Sequence, residues 1–232
     1  MIPFKKIIEY AISLPKSLFF CLRVFPLRQA LRIPVVLRYN TRTKVRRGSI
    51  CMSGGVSFGQ IRIGFGQVGI VDKKYQRTIF EVTGDVRLKG KAFIGEGSRI
   101  VVGDYALLEF GDDFVNTAAL SIICFKHITF GDRVLTSWDT LIMDTDFHCV
   151  IDVKHGQVFP EKKEIVIGDH CWIGCRCTIL KGAKVNNDTV VAANSVVTRA
   201  FDEPGVLIAG NPAVVKKTGL SWGMNGNVVF MN

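Results

Sequence analysis

From residue 167 onward a large aliphatic side chain stands at every sixth position: Ile167, Ile173, Ile179, Val185, Val191 and Val197. Four residues after each of the first five comes a small one: Cys171, Cys177, Ala183, Thr189 and Ser195. A short fixed period predicts a solenoid whose repeats pack only on their neighbours. Three hexads predict one triangular coil of short strands. The aliphatic residue points into the prism, and the small one sits where the chain bends.

The register can be followed upstream. Val82, Leu88, Ile94 and Ile100 keep it; it resumes two residues later at Val102 and Leu108. It resumes again at Phe110, Asn116, Ile122 and Ile128, and finally at Phe130, Thr136 and Ile142. Each extra pair is expected as a bulge or a longer corner. Gly95, Gly103, Gly111, Gly131, Gly168 and Gly174 follow aliphatic positions, where tight turns with positive φ are expected and Gly is least costly. An Asp after Gly103, Gly111, Gly131 and Gly168 suits a polar turn.

The rhythm fails between His148 and Glu164, so residues 149–164 read as a loop leaving the prism, and a loop of that length is more often functional than not. AGNPA (209–213) reads as the turn that ends the solenoid, with the following Val-Val-Lys-Lys beginning a short helix or cap. Residues 1–48 look helical or irregular, with Pro3, Pro15, Pro26 and Pro34 limiting helix length. The predicted organisation is an N-terminal arm (1–48), an all-β parallel β-helix (49–215) and a C-terminal tail (216–232).

Charge changes the picture at one end only. The net charge of +10 resides in residues 1–48, which hold eleven of the 30 Lys/Arg and one of the 20 Asp/Glu. The arm is also apolar, as in Ser17-Leu-Phe-Phe-Cys-Leu22. Two readings stand: helices packed on the solenoid or on a neighbouring subunit, and peripheral contact with an anionic membrane surface. Nucleic acid is disfavoured. Lys5, Lys16, Arg23, Arg28 and Arg32 interrupt every window long enough to span a bilayer, and no clean signal peptide is evident. Seven cysteines, an odd number, are read as reduced residues of a cytoplasmic protein. Cys171 and Cys175 lack a second pair at zinc-like spacing, so no metal is expected.

Candidate chemistry is sparse. His148 occupies the last position in register before the loop, preceded by Asp144 and Asp146. It reads either as a general base or as a polar corner residue capped by Asp146. His127 reads as structural, His155 as a loop residue within reach of an acceptor, and His170 as a turn residue. No GxSxG elbow, P-loop or dinucleotide fingerprint occurs.

Four segments together carry a resemblance: SWDTLIMDTDFH (137–148), IVIGDHCWIGCRCTILKGAKV (165–185), VVAANSVVTRAF (190–201) and IAGNPAVVKK (208–217). This set resembles the left-handed β-helix hexapeptide acyltransferases, and within them the maltose, galactoside and polysaccharide O-acetyltransferase branch. The resemblance implies a left-handed prism and a homotrimer with active sites between neighbouring prisms. It implies an acetyl-CoA-dependent O-acetyltransferase of a sugar, acting in surface polysaccharide or glycan biosynthesis. His148 would be the general base, oriented by Asp146 or by a backbone carbonyl, with a corner N–H holding the developing oxyanion. Asn116, Trp138 and Asp144 fall on the acceptor side, although Asn116 also suits an inner ladder. Trp172, Cys175, Ala192 and Ala193 match the pantetheine groove. Thr198 and Arg199 match the nucleotide end, helped by Lys216 or Lys217. The basic arm and the composition of the loop depart from the branch, which leaves the acceptor open. N-acetylation of an amino sugar, a serine-type small acceptor, and a non-catalytic scaffold remain as alternatives. The arm suits a cytoplasmic protein peripheral to the inner face of the cell membrane.

Overall fold

The computed structural model describes residues 4–66, 68–72 and 75–223. Short parallel strands stack into three sheets that form the sides of a triangular prism. Sheet A runs from Val35–Leu37 to Leu207–Gly210, sheet B from Arg42–Val45 to Val196–Val197, and sheet C from Ile50–Met52 to Ala200–Phe201. The hexads therefore begin earlier than the sequence suggested. Residues 35–48 are the first coil, not part of an arm, so the boundary expected at 48/49 moves to about 34.

The inward columns follow the predicted register. In sheet A, Ile63, Ile94, Asn116, Thr136, Ile173, Val191 and Ile208 pair in line across the coils. Each is at most 1 % exposed, and burying one such aliphatic side chain contributes about 1.5–3 kcal/mol. The two-residue steps are neither bulges nor longer corners. They are extra strand residues that keep the alternation going, so Leu108 and Phe110 both point inward, as do Ile128 and Phe130. The N-terminal half of the prism is thereby wider, and Phe110 and Phe130 fill it, stacked with centroids 5.2 Å apart.

The glycines also answer to a different cause from the one expected. None of the six takes positive φ; non-glycine residues do, among them Asp113, Arg133, His170 and Asp188. The glycines are needed because the next coil lies against them. A Cβ on Gly111 would meet the Gly131 carbonyl carbon at 2.3 Å, and one on Gly131 would meet Asp169 Oδ1 at 2.3 Å. Those carboxylates form a ladder along the corner between sheets C and A. The N–H of Asp112 donates to Asp132 Oδ1, that of Asp132 to Asp169 Oδ1, and that of Asp169 to Asn187 Oδ1, each at 2.8 Å.

Helix α1 (Phe4–Val24) closes the N-terminal end. Ser13, Ser17 and Cys21 recur one turn apart and face strand Val35–Leu37, whose other edge pairs with Ile61–Ile63. The N–H of Leu37 donates to Ser17 Oγ (2.9 Å), the N–H of Tyr39 donates to Ser13 Oγ (3.0 Å), and the Cys21 thiol donates to the Val35 carbonyl (3.4 Å). Buried edge groups thus find partners on the helix. A short helix, α2 (Leu27–Ala30), follows.

At the other end, Ala213–Lys217 is a strand, not a helix; it pairs antiparallel with Leu207–Gly210. The chain continues past it to place Trp222 on the prism wall, and residues 224–232 of the expected tail lie outside the described residues.

The outer faces differ in character. Sheet A shows Phe93, Val115, Leu135, Trp172, Val190 and Leu207 in one column. Sheet B shows Val101, Ile123, Met143 and Leu180. Sheet C is polar there, with Glu109 bound by Arg87 (3.3 Å) and His127 (2.7 Å).

Candidate active site

The corner between sheets B and C opens after strand Leu141–Met143. Asp144 follows, fully buried, and its carboxylate accepts the N–H groups of Phe125, Lys126 and His127 at 2.7–2.8 Å. Both oxygens serve the backbone of the preceding coil, which makes Asp144 a corner cap and not an acceptor ligand. Two residues on, the carboxylate of Asp146 pairs with Lys181, whose Nζ also donates to the Pro160 carbonyl at 2.7 Å. One lysine thus holds both ends of the excursion that leaves the prism.

That excursion is a β-hairpin. Val150–Asp152 pairs antiparallel with Gln157–Phe159, and Asp152 accepts the N–H groups of Lys154 and His155 in the turn. The His155 ring is bound to the same carboxylate at 2.7 Å. Val150, Ile151, Val153 and Val158 are exposed along the hairpin. The coil interrupted by it pairs residues 37 apart (Leu135 with Trp172), against 18 for the next coil (Trp172 with Val190).

His148 lies at the root of the hairpin with its ring exposed to solvent. Its Nδ1 sits 3.2 Å from the backbone carbonyl oxygen of Asp146. A carbonyl can only accept, so this contact assigns the proton to Nδ1 and leaves the lone pair on Nε2. The orienting group is thus the carbonyl of Asp146, with its carboxylate engaged elsewhere.

The remaining predicted residues are spread over the prism. Asn116 is inside the prism and fully buried. Its Oδ1 accepts from Ser98 Oγ (2.9 Å) and its Nδ2 donates to Thr136 Oγ1 (3.1 Å), so it belongs to an inner polar ladder rather than to an acceptor site. Trp138, Cys175, Ala192 and Ala193 share the corner between sheets A and B. There the N–H of Arg176 donates to the Trp138 carbonyl (2.9 Å) and that of Asn194 to the Cys175 carbonyl (3.0 Å). Around Gly174 the side chains of Cys175, Ala192 and Ala193 are small and the coils close: a Cβ on Gly174 would meet the Ala193 nitrogen at 2.7 Å. Trp172 stands on the outer face of sheet A, its Nε1–H donating to Ser137 Oγ at 3.2 Å. Thr198 and Arg199 are exposed on the same corner as His148, and Lys216 is exposed on the final strand. Neither Arg199 nor Lys216 forms an ion pair among the described residues.

Two contributors had no local signal. Lys181 reaches Asp146 across 35 residues of sequence. Trp222 stacks on His170 with centroids 4.7 Å apart, donates its Nε1–H to the His170 carbonyl (2.7 Å), and lies 6.0 Å from the Trp172 ring.

The buried cysteines Cys171 and Cys21 are unsuited to act as nucleophiles. Burial pushes the Cys171 thiol up to about 12 and the Cys21 thiol up to about 11, the wrong direction for a thiolate. Among the described residues no group of three His, Cys, Asp or Glu side chains is placed to hold a metal ion.

Comparison with known proteins agrees with the repeat. Residues 164–199 match the bacterial transferase hexapeptide model (six repeats). An uncharacterised 24.8 kDa protein in the cps region of Klebsiella pneumoniae is 32 % identical over 139 residues, covering 60 % of this chain and 61 % of the relative. The polysialic acid O-acetyltransferase of Escherichia coli O1:K1 is 26 % identical over 137 residues, covering 59 % of this chain and 42 % of the relative. The chain thus spans about three-fifths and two-fifths of these relatives' own lengths. Among solved structures, the polySia-specific acetyltransferase NeuO shares the fold, with a TM-score of 0.53 at 17 % identity over 84 % of this chain and 91 % of that one. Residues 164–199 thus carry the hexapeptide repeat, and the prism has the fold of a left-handed parallel β-helix.

Proposed function

We propose that this protein is an acetyl-CoA-dependent O-acetyltransferase acting on a sugar hydroxyl of a glycan, with His148 as general base. The observation that carries the reading is the ring of His148. It is exposed at a corner, held through Nδ1 by the Asp146 carbonyl, and without a partner at Nε2 among the described residues. A base so held takes the proton of an acceptor hydroxyl at Nε2 while its tautomer stays fixed. The likeness to a polysialic acid O-acetyltransferase favours a hydroxyl acceptor on a polysaccharide.

Acetyl-CoA supplies the activated acetyl thioester when bound. The corner formed by Gly174, Cys175, Ala192 and Ala193 suits its slender pantetheine arm, because small side chains leave the backbone accessible there. Arg199 and Lys216, exposed and without ion pairs among the described residues, are cations available to its phosphates. Cytoplasmic action belongs to the same reading, since the donor is a cytoplasmic metabolite.

Within one chain the two halves of this site are apart. His148 and the small-residue corner lie at opposite edges of sheet B, separated by on the order of 10 Å of strand. A second copy joins them if the apolar outer faces of sheets A and B pack between prisms while the polar face of sheet C stays in water. This supports a homotrimer with shared sites.

Calorimetric titration of the purified protein with acetyl-CoA tests the reading, with dephospho-CoA as comparison. Saturable binding near one site per chain, weaker without the 3′-phosphate, is expected. No binding at millimolar ligand by a folded sample refutes it and favours a scaffold.

A further inference from the structure

We propose that α1 and α2 form a docking face that holds the protein on an anionic lipid bilayer. Helix α1 has two apolar sides. Ser13, Ser17, Phe20, Cys21 and Val24 are buried against the first coil. On the opposite side Ile8, Ile12, Phe19 and Leu22 follow one another three, four or seven residues apart and are 42–69 % exposed. Leu27 and Leu31, around α2, extend the stripe at 65 % and 64 % exposure. A helix lying on a soluble prism ordinarily turns charged residues outward where these stand.

The charges show what covers the stripe. Arg23 and Arg28 are exposed beside it, and so is Arg32, whose guanidinium also reaches the Val56 carbonyl at 3.1 Å. The one acidic residue before residue 49, Glu9, is turned to the packed side and neutralised by Arg38 at 2.7 Å. Residues 1–34, ahead of the first coil, hold six Lys/Arg and one Glu, a net of +5, half of the net charge of +10. An apolar stripe flanked by cations and free of anions complements a lipid surface with acidic headgroups. No described helix is long and apolar enough to cross a membrane, so the helix lies in the interface. Because α1 closes one end of the prism, docking presents that end to the bilayer. A trimer of parallel prisms would present three such helices on one side, and binding then gains from multivalency.

The inference stands apart from the transferase reading, since vesicle binding tests one and donor binding the other. Full-length protein is sedimented with vesicles of phosphatidylcholine alone and of phosphatidylcholine mixed with phosphatidylglycerol. Wild type is expected to sediment with the mixed vesicles only, and less so at high salt. The double variant Arg23→Gln/Arg28→Gln is expected to partition on the order of 25-fold more weakly, about fivefold per cation. Phe19→Ser/Leu22→Ser is expected to lose at least about tenfold. Both keep the wild-type melting temperature, their side chains being exposed. Wild type that stays in the supernatant with mixed vesicles overturns the proposal. So does Phe19→Ser/Leu22→Ser if it binds vesicles as wild type does, or if it changes the oligomeric mass in sedimentation velocity with vesicle binding unaltered; the latter would make the stripe a protein interface.

Discussion

The imidazole of His148 is held by the backbone of Asp146 and not by its carboxylate: Nδ1 lies 3.2 Å from the Asp146 carbonyl oxygen, while the carboxylate pairs with Lys181. The two substitutions at this pair therefore have unequal consequences. His148→Ala is expected to lower kcat for acetyl transfer by about 10²–10⁴-fold and to leave the melting temperature unchanged. Asp146→Asn keeps the carbonyl and loses only an ion pair, so a loss of less than about tenfold is expected. Steady-state kinetics with acetyl-CoA and a responsive glycan check both. Equal losses would show that the carboxylate itself acts on the ring.

Close approach of coils predicts unequal tolerance among the glycines. Gly131→Ala would drive a Cβ to 2.3 Å from Asp169 Oδ1 and 2.6 Å from the Asp169 nitrogen. Destabilisation of about 1–3 kcal/mol or more is expected. Gly156→Ala, at φ +64° in the hairpin turn with nothing within 4 Å, is expected to cost about 1 kcal/mol. Chemical denaturation of both variants measures the difference.

The junction between α1 and the first strand depends on hydroxyls. Ser17 Oγ receives the N–H of Leu37 in a buried setting. Ser17→Ala leaves that N–H without a partner, for an expected loss of about 1–3 kcal/mol. Faster amide exchange at Leu37 would report the same change locally.

Acid sensitivity has a traceable source in the corner ladder. Asp132 is held below its ordinary value of 3.8 by the Lys89 ammonium and by the N–H of Asp112, effects that outweigh partial burial. The unfolded chain therefore takes up this proton more readily than the folded one. The contribution to stability is full above about pH 4 and disappears as pH falls through the lowered value. Asp132→Asn keeps an acceptor for Asp112 but loses the bond to charge. Its melting temperature is expected to be below wild type at neutral pH and to converge on it as pH falls through the lowered value. A constant gap across pH would contradict this origin.

Much of the prism was legible because its period is a property of the backbone. Ile167 through Val197 land inward without exception, and the failure of the rhythm after His148 marks the place where the chain leaves. Where reading failed, the deciding partner was one coil away. Asn116 looked available because nothing near it in sequence shows that Ser98, 18 residues before, and Thr136, 20 residues after, complete its bonds inside the prism. Asp144 looked like an acceptor-side residue beside His148, yet its partners are N–H groups 17–19 residues back. The glycines signalled corners correctly but for a steric reason rather than a conformational one. The first coil was missed because variable corner lengths hide its register before Val82. The site's halves were each named in sequence, but their separation across sheet B shows only in three dimensions.

Sheet A has a beginning and an end, and neither accepts another strand freely. At the first strand, the hydroxyls of Ser13 and Ser17 and the thiol of Cys21 occupy backbone groups that a second molecule would otherwise use. At the last, the direction of the chain reverses, and Ala213–Lys217 presents Lys216 and Lys217 at the rim. Stacked hexads are in principle an open-ended polymer of themselves. Here both ends of sheet A are stoppered, so growth by adding a further strand to this sheet is disfavoured.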